Sequence, residues 1–193
     1  MTKSELRQIY LQKMRSLSTV ERSEKSEKIA EKFIQQLPSD SPMIVHCFIA
    51  IEKFNEIDTT FIFRRIWKEF PQVITVVPRV DLETGEMTHL KFTPDTELVK
   101  NVWGIYEPDH NEYVDANVID IVLVPLLCFD NELHRVGYGK GFYDRFLMNC
   151  RPDLKKTGLS FFGPIDLIED IHEADIALDL CITPDKIYRH RSI

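Results

Sequence analysis

A chain of 193 residues, 44% hydrophobic, is long enough to bury a full core, and no Pro-, Gly- and Ser-rich linker divides it, so one domain over residues 1–193 is expected. Its formal charge of −7 argues against a sequence-independent nucleic-acid binder, which needs a basic face spanning many phosphates. The N-terminus lacks an apolar signal core, and Asp120 and Pro125 interrupt the most apolar run, residues 118–129, well short of a membrane span, so a cytoplasmic protein without membrane partners is expected. The further expectation is a monomer that acts on small molecules and has no nucleic-acid partner.

Leu6, Ile9, Tyr10, Met14 and Leu17 recur at helical spacing and predict a first helix over residues 3–17. Ser18 with Glu21 reads as a capping box that opens a second helix, continuing through Ile29, Ala30, Phe33, Ile34 and Leu37 until Pro38 stops it. Residues 43–50 form a nearly unbroken apolar run, the pattern of a strand covered on both faces. A helix over about residues 59–70 follows, with Asp58 as N-cap and Pro71 beyond its end. Residues 73–77 read as a second buried strand, and Glu83-Thr84-Gly85-Glu86 as a turn into a strand over 87–92. A third buried strand over 119–124 leads to a glycine-rich loop and a short helix over 142–150, after which strands are expected at 157–162 and 178–183. Alternating strands and helices predict an α/β fold with a mostly parallel sheet, whose ligand crevice lies at the carboxyl ends of the strands.

The segment Arg135-Val136-Gly137-Tyr138-Gly139-Lys140-Gly141-Phe142-Tyr143-Asp144-Arg145 sits at such an end. Glycine permits positive φ and close backbone approach, so successive N–H groups can converge on anionic oxygens, and Arg135, Lys140 and Arg145 supply charge-assisted donors. Asp144 supplies the hard oxygen that Mg²⁺ prefers. The plainer alternative is a tight connection with solvated cations beside it. Neither the dinucleotide fingerprint nor the Walker P-loop fits, because Phe142 stands where GxGxxG needs its third glycine and GxxxxGK[ST] is absent. Cys47, Cys128, Cys150 and Cys181 are isolated, and His172-Glu173 is not completed to HExxH, so disulfides and structural zinc are not expected.

Lys3 to Arg7, Glu56-Ile57-Asp58-Thr59, Trp103-Gly104-Ile105 with Glu107-Pro108, Val124-Pro125 with Phe129-Asp130, the RxGxGxGxYD stretch from Arg135, and Asp179 before Thr183 together resemble the 5-formyltetrahydrofolate cyclo-ligase family over nearly the whole chain. The resemblance implies a three-layer α/β/α domain that uses ATP and Mg²⁺ to convert 5-formyltetrahydrofolate into 5,10-methenyltetrahydrofolate. It implies that Lys3, Arg7 and the run Arg135, Val136, Gly137, Tyr138, Gly139, Lys140, Gly141, Phe142 and Tyr143 bind ATP, with Lys140, Arg135 and Tyr143 catalytic. Asp144 and Asp179 would hold Mg²⁺, with Asp175 as a substitute for the second. Glu56 would meet the donor-rich pterin edge, beside Ile49 or Ala50, Trp103, Tyr138, Phe142 and the loop Gly139-Lys140-Gly141. Arg79 is either a partner for the folate glutamate tail or a solvated strand-end cation.

Two positions depart from the family pattern. Leu133 stands where glycine is common, which predicts a turn with φ < 0 or another geometry, and Phe142 stands where tyrosine is common. Two other readings of the same residues are a folate- or nucleotide-storage protein without turnover and an enzyme of another class on a similar scaffold. Lys140 with Asp144 favours the ligase over storage, since passive folate binding needs no metal ligand.

Overall fold

Capping decides where the first two helices begin. In the computed structural model, which describes residues 1–190 except 82, 103 and 111, α1 (Lys3–Ser16) opens on a reciprocal Thr2–Glu5 capping box and α2 (Thr19–Ile34) on the Ser18–Glu21 box. Leu6, Tyr10 and Met14 form the buried stripe of α1, and Ile29, Ala30, Phe33 and Ile34 that of α2. Truncating a fully buried aromatic such as Phe33 to alanine costs about 3–5 kcal/mol.

A seven-stranded sheet forms the middle layer, in the order β11 (Ile187–Arg189), β10 (Leu180–Ile182), β9 (Lys155–Leu159), β6 (Ile121–Pro125), β1 (Met43–His46), β2 (Val73–Val80), β3 (Met87–Phe92). The five inner strands run parallel, while β3 and β11 pair antiparallel at the edges. Alternate strand residues feed two cores. Val45, Val77, Leu123 and Leu159 pack with α1, α2 and α3 (Thr60–Glu69), and Val122 and Val124 pack with Phe146 and Leu147 of α4 (Phe142–Met148). Helices therefore cover both faces, as a parallel sheet requires.

The chain passes from β1 outward to β2 through α3, and later returns to the other side of β1 as β6. Strand order thus reverses between β1 and β6, and the loops leaving their carboxyl ends diverge and open a crevice. The run over 43–50 is a strand only to His46; beyond it, Cys47 still donates to Val76 O at 2.8 Å, and then Phe48 O accepts the Thr59 hydroxyl at 2.7 Å. That bond diverts the Thr59 side chain from capping, so Asp58 instead accepts Thr60 N at 3.1 Å in front of α3.

The sequence pattern does not announce five short strands: β4 (Leu98–Lys100), β5 (Tyr106–Pro108), β7 (Cys128–Phe129), β8 (Arg135–Val136) and β11. The β7–β8 turn corrects the expectation at Leu133, which adopts φ +64 rather than a negative value. Its amide donates to Asp130 O and its carbonyl accepts Leu178 N, both at 3.0 Å, while its side chain is fully buried. Asp130 Oδ1 also takes the amides of Glu132 and His134, so hydrogen bonds and packing together hold a conformation that costs roughly 1–2 kcal/mol.

Candidate active site

β8 delivers the chain to the loop of residues 137–141, and α4 begins immediately after it. Gly139 and Gly141 take φ +87 and +68, where a side chain would be strained, whereas Gly137 does not need positive φ. A Cβ on Gly139 would stand 3.1 Å from Arg7 Cζ, so the loop's middle glycine also admits the guanidinium of α1. Arg7 Nε donates to Gly137 O at 2.9 Å, tying that helix to the loop. Among the described residues, the amides of residues 139–144 donate to no protein acceptor, and the loop presents them as an array for anionic oxygens.

A cleft of about 560 Å³ lies against this loop, lined by Lys3, Arg7, Arg15, Arg135 and Lys140 and by the carboxylates of Asp144 and Asp175. Lys140 is exposed and its ammonium has no protein partner among the described residues. Arg135 is almost fully buried; it donates to Ile176 O and, at 2.6 Å, to Asp144 Oδ1. Ile176 N also reaches Asp144 Oδ1, at 3.3 Å, which brings the segment after His172 to the cleft. There Asp175 pairs with Lys3 and accepts His172 N at 2.6 Å. Burial opposes ionisation of Asp175, but the His172 amide and the Lys3 ammonium outweigh it and hold the carboxyl below its usual range.

Asp144 and Asp175 are hard oxygen donors in the same cleft as the amide array. Mg²⁺ in nucleotide sites takes one or two carboxylates plus phosphate oxygens and water, so this pair fits that ion. Asp179 is not brought there. It sits at the amino ends of β9 and β10, opposite the crevice, and accepts Lys156 N at 2.7 Å and the Lys156 ammonium at 3.1 Å.

A second, more apolar pocket of about 160 Å³ adjoins the cleft, and the two share Ile51, Ile105, Pro125, Phe142 and Tyr143 as walls. Phe48, Ile49, Met87 and Tyr106 add apolar surface, and Glu56, Arg79, Asn101 and Glu107 add polar groups. Glu56 is buried, with Oε2 accepting Ile51 N at 2.7 Å and the Tyr138 hydroxyl beside it. Burial pushes its carboxyl up to about 7, against the Ile51 amide, the Tyr138 hydroxyl and Arg22, which favour ionisation. The Tyr143 hydroxyl is buried with no protein partner among the described residues, and burial raises its pKa well above the phenol value, so it stays protonated as a donor.

The structure gathers Lys3, Arg7, Arg135, Gly137, Tyr138, Gly139, Lys140, Gly141, Phe142, Tyr143 and Asp144 on one cleft, and Ile49, Glu56, Phe142 and Tyr143 on the pocket beside it. Besides Asp179, three expected residues fall elsewhere. Val136 is fully buried in the hairpin opposite Cys128, Ala50 lines neither cavity, and Arg145 turns away to bond Lys140 O at 3.1 Å and Gly85 O at 3.3 Å. Trp103 lies outside the described residues. Arg79 binds the carbonyls of Pro108 and His110 and lies 3.6 Å from Glu107, so it anchors β5 to β2 as well as lining the pocket. Sequence reasoning missed Arg15, Ile51 and Phe54, which carry no motif; the helical phase shared with Arg7 and Leu11 places Arg15 on the cleft side.

Comparison with known proteins identifies the family of this chain. The model of the 5-formyltetrahydrofolate cyclo-ligase family matches residues 1–175. The 5-formyltetrahydrofolate cyclo-ligase of Mycoplasma pneumoniae is 31% identical over 189 residues, covering 96% of this chain and 100% of the relative. That of Escherichia coli K12 is 28% identical over 181 residues, covering 92% and 97%. The solved structure of Aquifex aeolicus 5,10-methenyltetrahydrofolate synthetase superposes with a TM-score of 0.75 at 30% identity, over 100% of this chain and 95% of that one. With its parallel sheet, its glycine loop and a family match that runs from the first residue through Asp175, this chain belongs to the 5-formyltetrahydrofolate cyclo-ligase family.

Proposed function

We propose that the protein converts 5-formyltetrahydrofolate and ATP into 5,10-methenyltetrahydrofolate, ADP and phosphate, with Mg²⁺, in the cytoplasm. One observation carries the reading: a cationic cleft around a glycine loop shares walls with an apolar pocket that ends in a buried carboxyl. A triphosphate in the first and a pterin in the second would bring the terminal phosphoryl group to the formyl group across Phe142 and Tyr143.

The chemistry follows from the leaving group. A formamide oxygen does not depart as hydroxide, so it must be converted into a phosphate ester. In this reading the formyl oxygen attacks the γ-phosphorus and the bond to ADP breaks. N10 then attacks the formyl carbon, and phosphate leaves with the former formyl oxygen and the N10 proton. Phosphoryl transfer of this kind is mainly a matter of alignment and charge neutralisation. The free amides of residues 139–144, Lys140, Arg7 and Arg135 are suited to developing negative charge, and the unpartnered Tyr143 hydroxyl to the oxygen that is being phosphorylated. Asp144 and Asp175 are the proposed holders of Mg²⁺, which when bound neutralises the phosphate oxygens. Glu56, ionised, is an acceptor for the pterin N–H groups.

The test mixes purified protein with 5-formyltetrahydrofolate and MgATP and follows the methenyl chromophore together with ADP. Equal, ATP-dependent yields of the two products are expected. Folate binding without either product would support a storage role instead.

A further inference from the structure

Tyr138 lines the cleft and reaches behind the wall of the apolar pocket, which neither ligand's own site requires. Its backbone is part of the glycine loop, between Gly137 and Gly139, while its side chain leaves the loop for a small interior space bounded by Phe48, Glu56 and Ile57, and of these Phe48 and Glu56 also wall the apolar pocket. The ring lies 5.4 Å from that of Phe54, and the hydroxyl lies beside the Glu56 carboxyl without forming a hydrogen bond to a described residue in the free protein. Glu56 in turn fixes Ile51 N at 2.7 Å, and Ile51 is a wall of both cavities. A side chain needed only to shape a phosphate loop would have no reason to reach a carboxyl on the other side of the shared wall.

We infer that Tyr138 is a positioning residue that couples the sites: ordering of the glycine loop by nucleotide sets the Tyr138 hydroxyl against Glu56, and a pterin that engages Glu56 orders the loop, so each ligand tightens the other. The inference rests on the functional reading above. Ordering by the first ligand leaves less freedom for the second to remove, which is positive cooperativity without any large movement. Linkage requires the factor to be the same in both directions.

The experiment is a set of calorimetric titrations on the full chain, using a non-hydrolysable ATP analogue with Mg²⁺ and 5-formyltetrahydrofolate, each alone and each with the other saturating. Wild type should show mutual tightening of about fivefold or more, equal in the two directions. In Tyr138→Phe, which keeps the ring against Phe54 and deletes only the hydroxyl, that factor should collapse toward one while each binary Kd changes by less than the factor does. Glu56→Gln should also lower the factor, through the other end of the same contact, and serves if Tyr138→Phe does not fold. An unchanged factor in either folded variant, or binary binding without mutual tightening in wild type, overturns the coupling and leaves the functional reading standing. Failure of either ligand to bind wild type alone or with its co-ligand would overturn the functional reading and the coupling with it.

Discussion

Arg135 Nη2 lies 2.6 Å from Asp144 Oδ1, so the buried cation and the carboxylate assigned to the nucleotide's phosphates and its metal neutralise each other in the free protein. A ligand must redistribute that pair rather than fill an unbalanced charge. Asp144→Asn keeps an oxygen acceptor for Arg135 but removes the anionic ligand. It should shift the Mg²⁺ dependence of turnover to concentrations about tenfold higher or more, in line with the loss of a hard carboxylate donor. An unchanged Mg²⁺ titration removes Asp144 from the metal shell.

Lys140→Ala tests the exposed, unpartnered ammonium on the glycine loop. No protein contact depends on it, so stability should stay within about 0.5 kcal/mol of wild type. Turnover should fall by about 10²–10³, the usual loss for one preorganised charge-stabilising donor. The affinity for 5-formyltetrahydrofolate should change far less, and equal losses in kcat and folate binding would show that its role is misassigned.

Glu56 and the two buried histidines give opposite pH dependences. The Glu56 carboxyl is raised to about 7 in the folded chain from an ordinary 4.5, so between those values the folded state holds a proton that the unfolded state has released. Stability must therefore fall as pH rises through that window, by on the order of 3 kcal/mol in all. His46 and His89 behave in reverse. Burial holds His46 well below 6.5 and His89 at about 4, so the unfolded chain takes up protons first and stability is lost as pH drops below about 6.5. Denaturant titrations of Glu56→Gln against wild type should converge at pH 5 and separate at pH 8, with the variant more stable. The same carboxyl makes KM for folate rise as pH falls below about 7, because the protonated form accepts fewer pterin N–H bonds; Glu56→Gln should flatten that profile.

Leu133→Gly pits backbone strain against packing. Glycine would relieve the positive φ, a gain of roughly 1–2 kcal/mol, but it deletes a fully buried leucine side chain whose loss costs about 2–5 kcal/mol. Lost packing outweighs relieved strain, and chemical denaturation should show the variant less stable than wild type despite the better backbone. A stabilised variant would mean that the side chain contributes little to the core around Phe129.

Much of this architecture is legible in the residues. The Ser18–Glu21 capping box, apolar periodicity and the glycine run locate α2, the inner strands and the loop, because each signal is local and each element buries one continuous stripe. Two-residue strands such as β7 and β8 are too short for any periodicity, and their existence depends on Leu133 accepting a left-handed turn that sequence preference disfavours. The site divides along the same line. Lys140 and Asp144 follow from motif chemistry and Arg7 from the family resemblance, whereas Val136 and Arg145 share the motif yet turn inward and sideways, since consecutive residues of a strand and a helix face different ways. Asp175 and Asp179 are told apart only by the fold, which carries one to the carboxyl ends of the strands and leaves the other at their amino ends.

Transfer of the formyl oxygen to phosphate is the step on which the proposed function depends most directly. 5-Formyltetrahydrofolate carrying oxygen-18 in the formyl group is turned over with unlabelled MgATP in unlabelled water, and the released phosphate is examined by mass spectrometry. One labelled oxygen is expected in each phosphate formed. Unlabelled phosphate, with the heavy isotope released into water, would contradict phosphorylation of the formyl group.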